Sequence, residues 1–343
     1  MRMVSRRASV LMGMTVLLLG GFAFAAPRAL AQAPLPIRIG YQGGPDWLLY
    51  TARDLKLFEK EGLAPVFVKF VAGPPMIAAA ESKSIDVSFL GIVPFLRGVS
   101  QGLDWVIIGL GEGAYAEGLV ARKGADIVTL ADLKGKRIGY LKGTTAHFGI
   151  MMTLRQAGMR ADDVTLVDMP PAGQLAAMAK GDIDAAMVWE PWVQRMVREA
   201  NGRVVAREGD LGILANAGGF SVRRDWLQEN RETAVRFVRA LLAAYDIVLK
   251  DRKLAIAAGA QEMGISETWA EAIYQDVPPP RMNLWTDPRY RFSLVKRSEL
   301  HRRFTMLARF LLAEGIIPNH VDMSDILDAS VIAEALRTRK QGQ

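Results

Sequence analysis

Two stretches of the chain share one pattern of apolar and polar positions. Short apolar runs of the kind found in buried strands alternate with longer stretches whose apolar residues recur every three or four positions, as on one face of a helix. Four short motifs also recur in the same order, at offsets of 96 to 99 residues. The matching pairs are Arg38-Ile39-Gly40-Tyr41 and Arg137-Ile138-Gly139-Tyr140, Gly62 and Gly158, Pro74-Pro75 and Pro170-Pro171, and Ile85-Asp86 and Ile183-Asp184. This period is longer than that of solenoid repeats, so it predicts two copies of one larger block and hence two similar lobes.

Each copy is predicted to alternate strands with helices. The elements of the first copy are strand Ile37–Tyr41, helix Trp47–Glu61, strand Pro65–Val71, helix Met76–Ser82 and strand Ile85–Leu90. Those of the second are strand Arg137–Leu141, helix Ala146–Ala157, strand Val164–Met169, helix Gln174–Lys180 and strand Ile183–Trp189. Such units build an open, mostly parallel sheet covered by helices. The sequence therefore predicts an α/β protein in which each lobe is a β-sheet flanked by helices, with ligands bound beyond the carboxyl ends of the strands.

The chain is expected to return to the first lobe after the second copy. Phe220–Arg223 is a predicted return strand, and a long amphipathic helix is predicted from Asp225 to about Lys250. Two crossings between the lobes fit this order, so the first lobe is predicted to be discontinuous. The predicted boundaries are residues 1–31 for a signal peptide, 35–118 plus 223–343 for lobe I, 122–218 for lobe II, and 118–122 and 218–223 for the hinge strands.

The first 33 residues have the layout of a secretory signal peptide. Three arginines among the first seven residues precede an apolar run from Val10 to Ala26, and Ala29-Leu30-Ala31 forms a cleavage site of small residues. A membrane anchor is the alternative interpretation, but the run is short for a span and contains glycines. We therefore expect cleavage after Ala31 and a soluble mature protein in the periplasm.

Composition narrows the function classes. The chain has 343 residues, of which 50% are hydrophobic, and no cysteine. This excludes a disulfide scaffold, a Cys-ligated metal site and a Cys nucleophile. The three histidines have no metal-ligand spacing, and the common nucleophile and metalloprotease motifs are absent. We therefore expect no enzyme activity, no metal and no other cofactor.

The net charge of +7 arises partly from the signal peptide. The first 31 residues hold four of the 43 basic residues and none of the 36 acidic ones, which leaves the rest of the chain at +3. No dense Lys/Arg block remains, so nucleic-acid binding is not expected.

One pair of equivalent loops supplies candidate ligand-binding residues, because each loop follows a first strand and precedes a helix. In the second copy Gly143, Thr144, Thr145 and His147 lie where backbone N–H groups and two hydroxyls can hold an anion. A plain N-cap by one of the threonines is the structural alternative.

The equivalent loop of the first copy contains Gly44, Asp46 and Trp47. Trp47 is a candidate wall of the cleft. A core tryptophan next to a capping aspartate is the alternative.

A second pair of loops follows the third strand of each copy. It contains Gly91, Ile92 and Val93 in the first copy and Trp189 with Glu190 in the second. Glu190 suits a cation or hydroxyl group of a ligand, or it caps a helix that begins at the following proline. Trp189 is either a stacking wall or a core residue.

Several short motifs between residues 35 and 320 occur together in one known family. They are Ile39-Gly40-Tyr41-Gln42, Gly44-Pro45-Asp46, Leu90-Gly91 with Pro94, Glu117 before Leu119-Val120, Gly135-Lys136-Arg137-Ile138, Thr144-Thr145 with His147, Gly181-Asp182-Ile183-Asp184, and Val188-Trp189 with Pro191. On these motifs the chain resembles the periplasmic substrate-binding proteins of the nitrate/sulfonate/taurine type of ABC importer. The resemblance implies a two-lobed periplasmic binding protein (type II) fold that captures a small, usually anionic solute. It also implies an ABC permease and its ATPase as partners, and we expect a monomer.

The resemblance adds four candidate residues and one departure. Gln42 belongs to the family motif, and Tyr115 would add an aromatic ring to the cleft. Taurine-specific members are understood to carry an acid on the second crossover strand, whereas the stretch from Asn216 to Phe220 has none. This argues against taurine and favours alkyl or aryl sulfonates or other small organic acids, with Asn216 and Gly218 as candidate contacts.

Two other function classes remain open. A solute sensor that presents its ligand-bound form to a membrane receptor would have the same sequence features. An enzyme on the same fold, such as the related pyrimidine-synthesis proteins, is disfavoured because those proteins carry a Cys-rich motif.

Overall fold

The computed structural model describes residues 33–111, 116–211 and 217–339. The predicted signal peptide and the candidate residues Tyr115 and Asn216 lie outside these described residues. Two five-stranded sheets, each flanked by helices, confirm the predicted α/β fold with two lobes. In the part of the chain that is described, no helix is both long and apolar enough to cross a membrane.

The strands are β1 (Leu35–Tyr41), β2 (Leu63–Lys69), β3 (Val87–Leu90), β4 (Trp105–Leu110), β5 (Glu117–Ala121), β6 (Arg137–Tyr140), β7 (Thr165–Asp168), β8 (Ala185–Trp189), β9 (Arg203–Arg207) and β10 (Gly219–Arg223). The helices are α1 (Trp47–Asp54), α2 (Leu57–Lys60), α3 (Gly73–Glu81), α4 (Ile92–Ser100), α5 (Thr145–Gln156), α6 (Pro171–Lys180), α7 (Trp192–Glu199), α8 (Arg224–Glu229), α9 (Arg231–Lys250), α10 (Arg252–Met263), α11 (Glu267–Asp276), α12 (Glu299–Ala313) and α13 (Ser330–Arg339).

The two sheets have the same strand order once each strand is matched to its repeat. The first sheet runs β2-β1-β3-β10-β4 and the second runs β7-β6-β8-β5-β9. The three repeated strands of each sheet are parallel, as predicted. The fourth strand, β10 or β5, is antiparallel to its neighbours. Each sheet is therefore mixed, because its fourth strand enters from the opposite direction.

An ion pair in each lobe explains why two of the motifs recur together. The carboxylate of Asp86 accepts hydrogen bonds from the backbone N–H of Arg38 at 2.8 Å and from its Nη2 at 2.6 Å. In the second lobe Asp184 accepts the same two bonds from Arg137, at 2.9 and 3.0 Å. The Arg137 guanidinium lowers the pKa of Asp184 to about 2. Both aspartates thus tie the first strand of a lobe to the start of its third strand.

The glycine within the same motif is required for packing. A Cβ atom on Gly40 would lie 2.8 Å from Cδ1 of Ile85, and one on Gly139 would lie 2.8 Å from Cδ1 of Ile183. Carbon atoms do not normally approach so closely, so a larger residue at either position would force the isoleucine of the Ile-Asp motif to shift. The two motifs are therefore coupled by packing as well as by charge.

Several element boundaries differ from the prediction for local reasons. The proline pairs lie at the starts of helices α3 and α6, so these helices begin before the predicted positions. Proline is tolerated there because the first N–H groups of a helix have no partner within it. Lys56 has a φ of 53°, so the predicted helix 47–61 is divided into α1 and α2. The predicted helix 225–250 is likewise divided, at Asn230.

The two predicted hinge strands belong to different sheets. The predicted hinge strands near 118–122 and 218–223 correspond to β5 and β10, and each pairs within one sheet. The crossings therefore lie between β4 and β5 and between β9 and β10. The first lobe is joined where these crossings begin and end, because the backbone N–H of Gly111 donates to the carbonyl of Gly218 at 3.0 Å.

The cores of the two lobes differ in size. The first lobe has one continuous apolar core that includes α8 to α13. The second lobe has two smaller clusters, one that includes residues of α5 and one that includes residues of α6 and α7. The C-terminal part of the chain therefore thickens the first lobe.

Candidate functional site

A cavity lies between the lobes at the carboxyl ends of β1, β3, β6 and β8. The first lobe lines it with Gln42, Gly44, Gly73, Phe89, Gly91 and Pro94, and the second with Glu117, Thr144, Thr145 and Trp189. Its space, including the open mouth, is about 460 Å³.

Helix α5 begins at the cavity with its first turn open. Thr144 precedes the helix in an extended conformation, and its hydroxyl donates to the carbonyl of Leu141 at 2.7 Å. Because that hydroxyl is engaged with Leu141, it does not cap the helix. The first N–H groups of α5 therefore remain available to an acceptor in the cavity.

His147 supports this loop from behind. Its Nδ1 accepts a hydrogen bond from the backbone N–H of Gly143 at 3.4 Å, and its ring lies 5.0 Å from that of Tyr140. Burial and the nearby Lys142 ammonium lower the pKa of His147 to about 4, so the ring is neutral at pH 7. Gly143 adopts a φ of 77°, which favours glycine. Gly143 and His147 therefore stabilise the turn before α5 and do not line the cavity.

Helix α4 begins on the opposite side of the cavity, at Gly91. Glycine has no side chain with which to cap the helix, and a Cβ atom here would lie 2.3 Å from Oγ1 of Thr145. A side chain at position 91 would therefore meet Thr145 of the opposite lobe. The predicted residues Ile92 and Val93 have buried side chains in the first core, so only their backbone can face a ligand.

Two other helices near the cleft are capped by acids of the protein itself. Buried Asp46 accepts the backbone N–H of Leu49 in α1 at 3.3 Å. Buried Glu190 accepts the backbone N–H of Gln194 in α7 at 3.2 Å and pairs with Arg207 at 2.8 Å. Burial raises the pKa of Glu190, while Arg207 opposes the shift. Both carboxylates act within the protein, which corrects the expectation that they face a ligand.

Trp47 also has a structural position. It is fully buried, its Nε1 donates to the carbonyl of Val277 at 2.7 Å, and its ring lies 5.2 Å from that of Tyr274. A Cβ atom on Gly259 would lie 2.4 Å from the indole. The expectation that Trp47 walls the cleft is therefore corrected, because the C-terminal helices cover it.

The remaining predicted residues divide between the cavity and the crossing. Gln42, Gly44 and Trp189 line the cavity, while Gly218 joins the strands of the first lobe through its carbonyl. Sequence reasoning did not select Gly73, Phe89, Pro94 or Glu117 as site residues. Pro94 and Glu117 belong to the family motifs, and this membership could have marked them as site residues. Glu117 is also the first residue of β5. Glu117 is 4% exposed and adds an acidic residue to the side formed by the second lobe.

Within the described ranges, no group of three or more His, Asp or Glu side chains could hold a metal ion. The polar lining of the cavity instead combines the starts of two helices, the Thr145 hydroxyl and the Gln42 amide, which suit an anion, with the Glu117 carboxylate.

Comparison with known proteins agrees with this geometry. A model of the NMT1-like family matches residues 48–262. The chain is 30% identical over 256 residues to an Escherichia coli (strain K12) protein named for binding aliphatic sulfonates, covering 74% of this chain and 79% of that protein. It is 26% identical over 230 residues to the taurine-binding periplasmic protein of the same organism, covering 66% of this chain and 70% of that one.

Solved structures share the fold over nearly the whole chain. The alkanesulfonate-binding protein SsuA from Xanthomonas axonopodis pv. citri, bound to MOPS, superposes with a TM-score of 0.72 at 26% identity, covering 89% of this chain and 99% of that chain. The desulfurization enzyme DszB shares the fold alone, with a TM-score of 0.63 at 19% identity and coverage of 89% and 99%. Because the family match spans more than half of the chain, the protein belongs to the NMT1-like family.

Proposed function

We propose that this protein captures a small organic anion, of the sulfonate class, between its lobes and delivers it to the permease of an ABC importer. The observation that carries the proposal is the meeting of α4 and α5 in one cavity. Both helices present first-turn N–H groups that no carboxylate of their own caps. The names of the relatives support the choice of sulfonates within the wider class of organic acids.

The electrostatics of the cavity favour a negative head group on this side. Each helix N-terminus carries a partial positive charge, and residues at the start of both helices line the cavity. A hydrogen bond to a charged acceptor is worth about 1.5–3 kcal/mol. Two such helices and the Thr145 hydroxyl supply enough donors for the three oxygens of a sulfonate. We therefore infer that the acidic head lies between Gly91 and Thr145.

The rest of the ligand is expected to lie against the apolar part of the cavity. Phe89, Pro94 and Trp189 form this part of the lining. An alkyl or aryl group buries apolar area there, at roughly 25 cal/mol per Å². The fit favours an organic sulfonate over a bare inorganic anion such as nitrate.

Binding without turnover is part of the proposal. The relatives above 25% identity are named as binding proteins, whereas DszB shares the fold at 19% identity. A chain without cysteine also lacks a thiol nucleophile. A sensor role, in which the closed protein contacts a receptor, uses the same cavity and is distinguished by its partner.

Location and oligomeric state complete the proposal. We infer export to the periplasm, cleavage after Ala31 and a monomer, since the relatives include periplasmic proteins. N-terminal sequencing of protein from the cell envelope tests the cleavage, with Gln32 expected as the first residue. Light scattering on the same sample tests the monomer.

A ligand panel tests the binding function directly. Ethanesulfonate, butanesulfonate, benzenesulfonate, taurine and nitrate are titrated by calorimetry, and the mixture is analysed afterwards by mass spectrometry. We expect saturable binding of the organic sulfonates, a raised melting temperature by mass action and no chemical conversion. Conversion of a bound sulfonate would contradict the non-enzyme reading, and binding of none would contradict the proposed ligand class.

A further inference from the structure

Outside the cavity, three arginines of the second lobe contact the corner between α10 and α11 in the first lobe. They are Arg195 and Arg198 of α7 and Arg207 at the end of β9. None of them lines the cavity between the lobes. We call this group the arginine latch.

Arg195 binds the end of a helix in the opposite lobe. Its Nη2 donates to the carbonyls of Met263 at 3.1 Å and Gly264 at 3.0 Å. Gly264 ends α10 with a φ of 62°, so these carbonyls lie at the negative end of that helix. Glu199, which lies on α7 with Arg195, pairs with the Arg195 guanidinium at 3.2 Å. The contact is therefore oriented from both sides.

The other two arginines extend the contact along α11. The Arg198 guanidinium lies 4.9 Å from the centre of the Trp269 ring, a cation–π distance. Arg207 pairs with Glu190 inside its own lobe at 2.8 Å and with Asp276 of the first lobe at 3.0 Å. The side chain of Asp276 is 45% exposed, so this pair sits at the rim.

A different contact closes the other flank of the interface. Phe148 of α5 meets Phe310 of α12 edge to face at 5.3 Å, and Arg155 lies 5.9 Å from the same ring. This contact rests on two aromatic rings and one guanidinium, whereas the arginine latch includes hydrogen bonds to carbonyl groups and an ion pair. The two flanks therefore respond differently to salt.

We propose that the arginine latch consists of positioning residues that set ligand affinity from outside the cavity, by stabilising the closed arrangement of the lobes. Opening the cleft separates α7 from α10 and α11, so these contacts exist only in the closed state. A contact made in one state alone shifts the population toward it, and apparent affinity follows the closed fraction. The affinity part of this inference rests on the proposed function, while the lobe-closure part does not.

The first experiment measures closure without any ligand. The chain has no cysteine, so Gln101→Cys in the first lobe and Lys180→Cys in the second give two unique, exposed labelling sites. Spin labels there report the distance between the lobes. We expect Arg195→Ala with Arg198→Ala to shift the distribution to longer distances. Lys123→Ala with Arg160→Ala removes the same charge elsewhere on the second lobe and should leave it unchanged.

The second experiment measures affinity with butanesulfonate and with MOPS. The double variant should raise the Kd about tenfold, mostly through faster dissociation. Asp276→Asn, which leaves the buried Glu190–Arg207 pair intact, should raise it about threefold. Arg195→Lys keeps the charge, so its Kd should rise less than that of the double variant. Added salt should weaken the wild type more than the double variant.

The outcomes separate the two proposals. Unchanged distances and an unchanged Kd in the folded variants would overturn the latch. Failure of both sulfonates to bind the wild type would overturn the ligand class, and the label distances would still decide the latch. Should the double variant lose its circular-dichroism signal, Arg195→Lys and Asp276→Asn carry the same comparison, because neither leaves a buried charge without its partner.

Discussion

The loops after β1 and β6 occupy equivalent places in the two lobes but end in different residues. In the first loop Asp46 supplies a carboxylate to the first turn of α1. In the second, Thr144 turns its hydroxyl to Leu141 and leaves the first turn of α5 to the cavity. The same backbone arrangement thus stabilises the protein in one lobe and is open to a ligand in the other.

The loops after β3 and β8 show the opposite assignment. Gly91 leaves the start of α4 without a side chain, whereas Glu190 accepts from the first turn of α7. Of the two helices compared in each lobe, one therefore has an acid at its start and the other does not. The starts of the two helices without an acid, α4 and α5, line the same cavity, and the proposed anion would take the position of the missing carboxylates.

The most direct way to remove the difference is Thr144→Asp. An acid at this position would accept the N–H groups of α5 and repel an anionic ligand, so α5 would become like α1. We expect affinity for butanesulfonate to fall more than about a hundredfold with no loss of stability. Calorimetry measures this, with Thr165→Asp on exposed β7 as the control for added charge. Unchanged affinity would place the anion elsewhere.

Removing the hydroxyls without adding charge should have the next largest effect. Thr144→Ala with Thr145→Ala is expected to raise the Kd about tenfold to a hundredfold, because the Thr145 hydroxyl is lost as a donor to a charged group and the Thr144 hydroxyl no longer fixes the loop through Leu141. Stability should fall by only about 1 kcal/mol, the worth of the hydrogen bond from Thr144 to Leu141. Titration and urea unfolding of the same variant separate the two quantities. A large loss of stability with normal affinity would mean that these threonines serve the fold, as Asp46 does.

Gly91→Ala tests the approach of the lobes at this glycine. The added Cβ would meet Oγ1 of Thr145 at 2.3 Å, so the lobes should not close fully and the Kd should rise about tenfold. Gly173→Ala in α6 is the matched control, since its Cβ would have no contact shorter than 3.7 Å. Small-angle scattering with saturating butanesulfonate should show a larger radius of gyration for Gly91→Ala alone. Equal values for the two variants would argue against this contact.

Asp46→Ala should produce the reverse of the threonine result. The loss of a buried cap costs about 1–2 kcal/mol of unfolding free energy, with less than about a twofold change in Kd. Urea unfolding and calorimetry on the same sample provide the two values. If affinity falls more than stability, the carboxylate of Asp46 contacts the ligand after all.

The smallest expected effect is the pH response of His147. Its pKa is about 4 in the folded protein and near 6.5 when unfolded, so the unfolded chain binds more protons as the pH falls. The contribution of the neutral ring to stability is fully present above pH 6.5 and is lost as the pH falls from 6.5 to 4. Between pH 7 and pH 6 the loss is roughly 0.5 kcal/mol. Urea unfolding at pH 7 and pH 6 should show this loss of unfolding free energy in the wild type but not in His147→Gln. An equal change with pH in both proteins would contradict the assignment to His147.

The features that could be predicted from sequence are those carried by neighbouring residues or by the repeat. Arg38 and Asp86 are 48 residues apart, but their equivalents recur with them, which made the two similar lobes accessible. The order of the strands within each sheet was not predicted. The position of Trp47 was not accessible, because its partner Val277 lies 230 residues further along the chain. The roles of Asp46 and Glu190 were undecided for a related reason. A capping acid and a ligand-binding acid have the same local sequence, and only the partners distinguish them.

The hydrogen bond between Gly111 and Gly218 has a consequence for protein engineering. It brings together the two points at which the chain leaves and re-enters the first lobe, so the second lobe is an insertion between adjacent ends. The segment between Gly111 and Gly218 can be replaced as a unit, because β4 and β10, at its two ends, are neighbouring antiparallel strands, as in a hairpin. A short turn, a lobe from a relative with another ligand, or a fluorescent reporter joined at these two glycines would meet the same two neighbouring strands. The protein is thus a ready scaffold for chimaeras in which ligand choice is changed one lobe at a time.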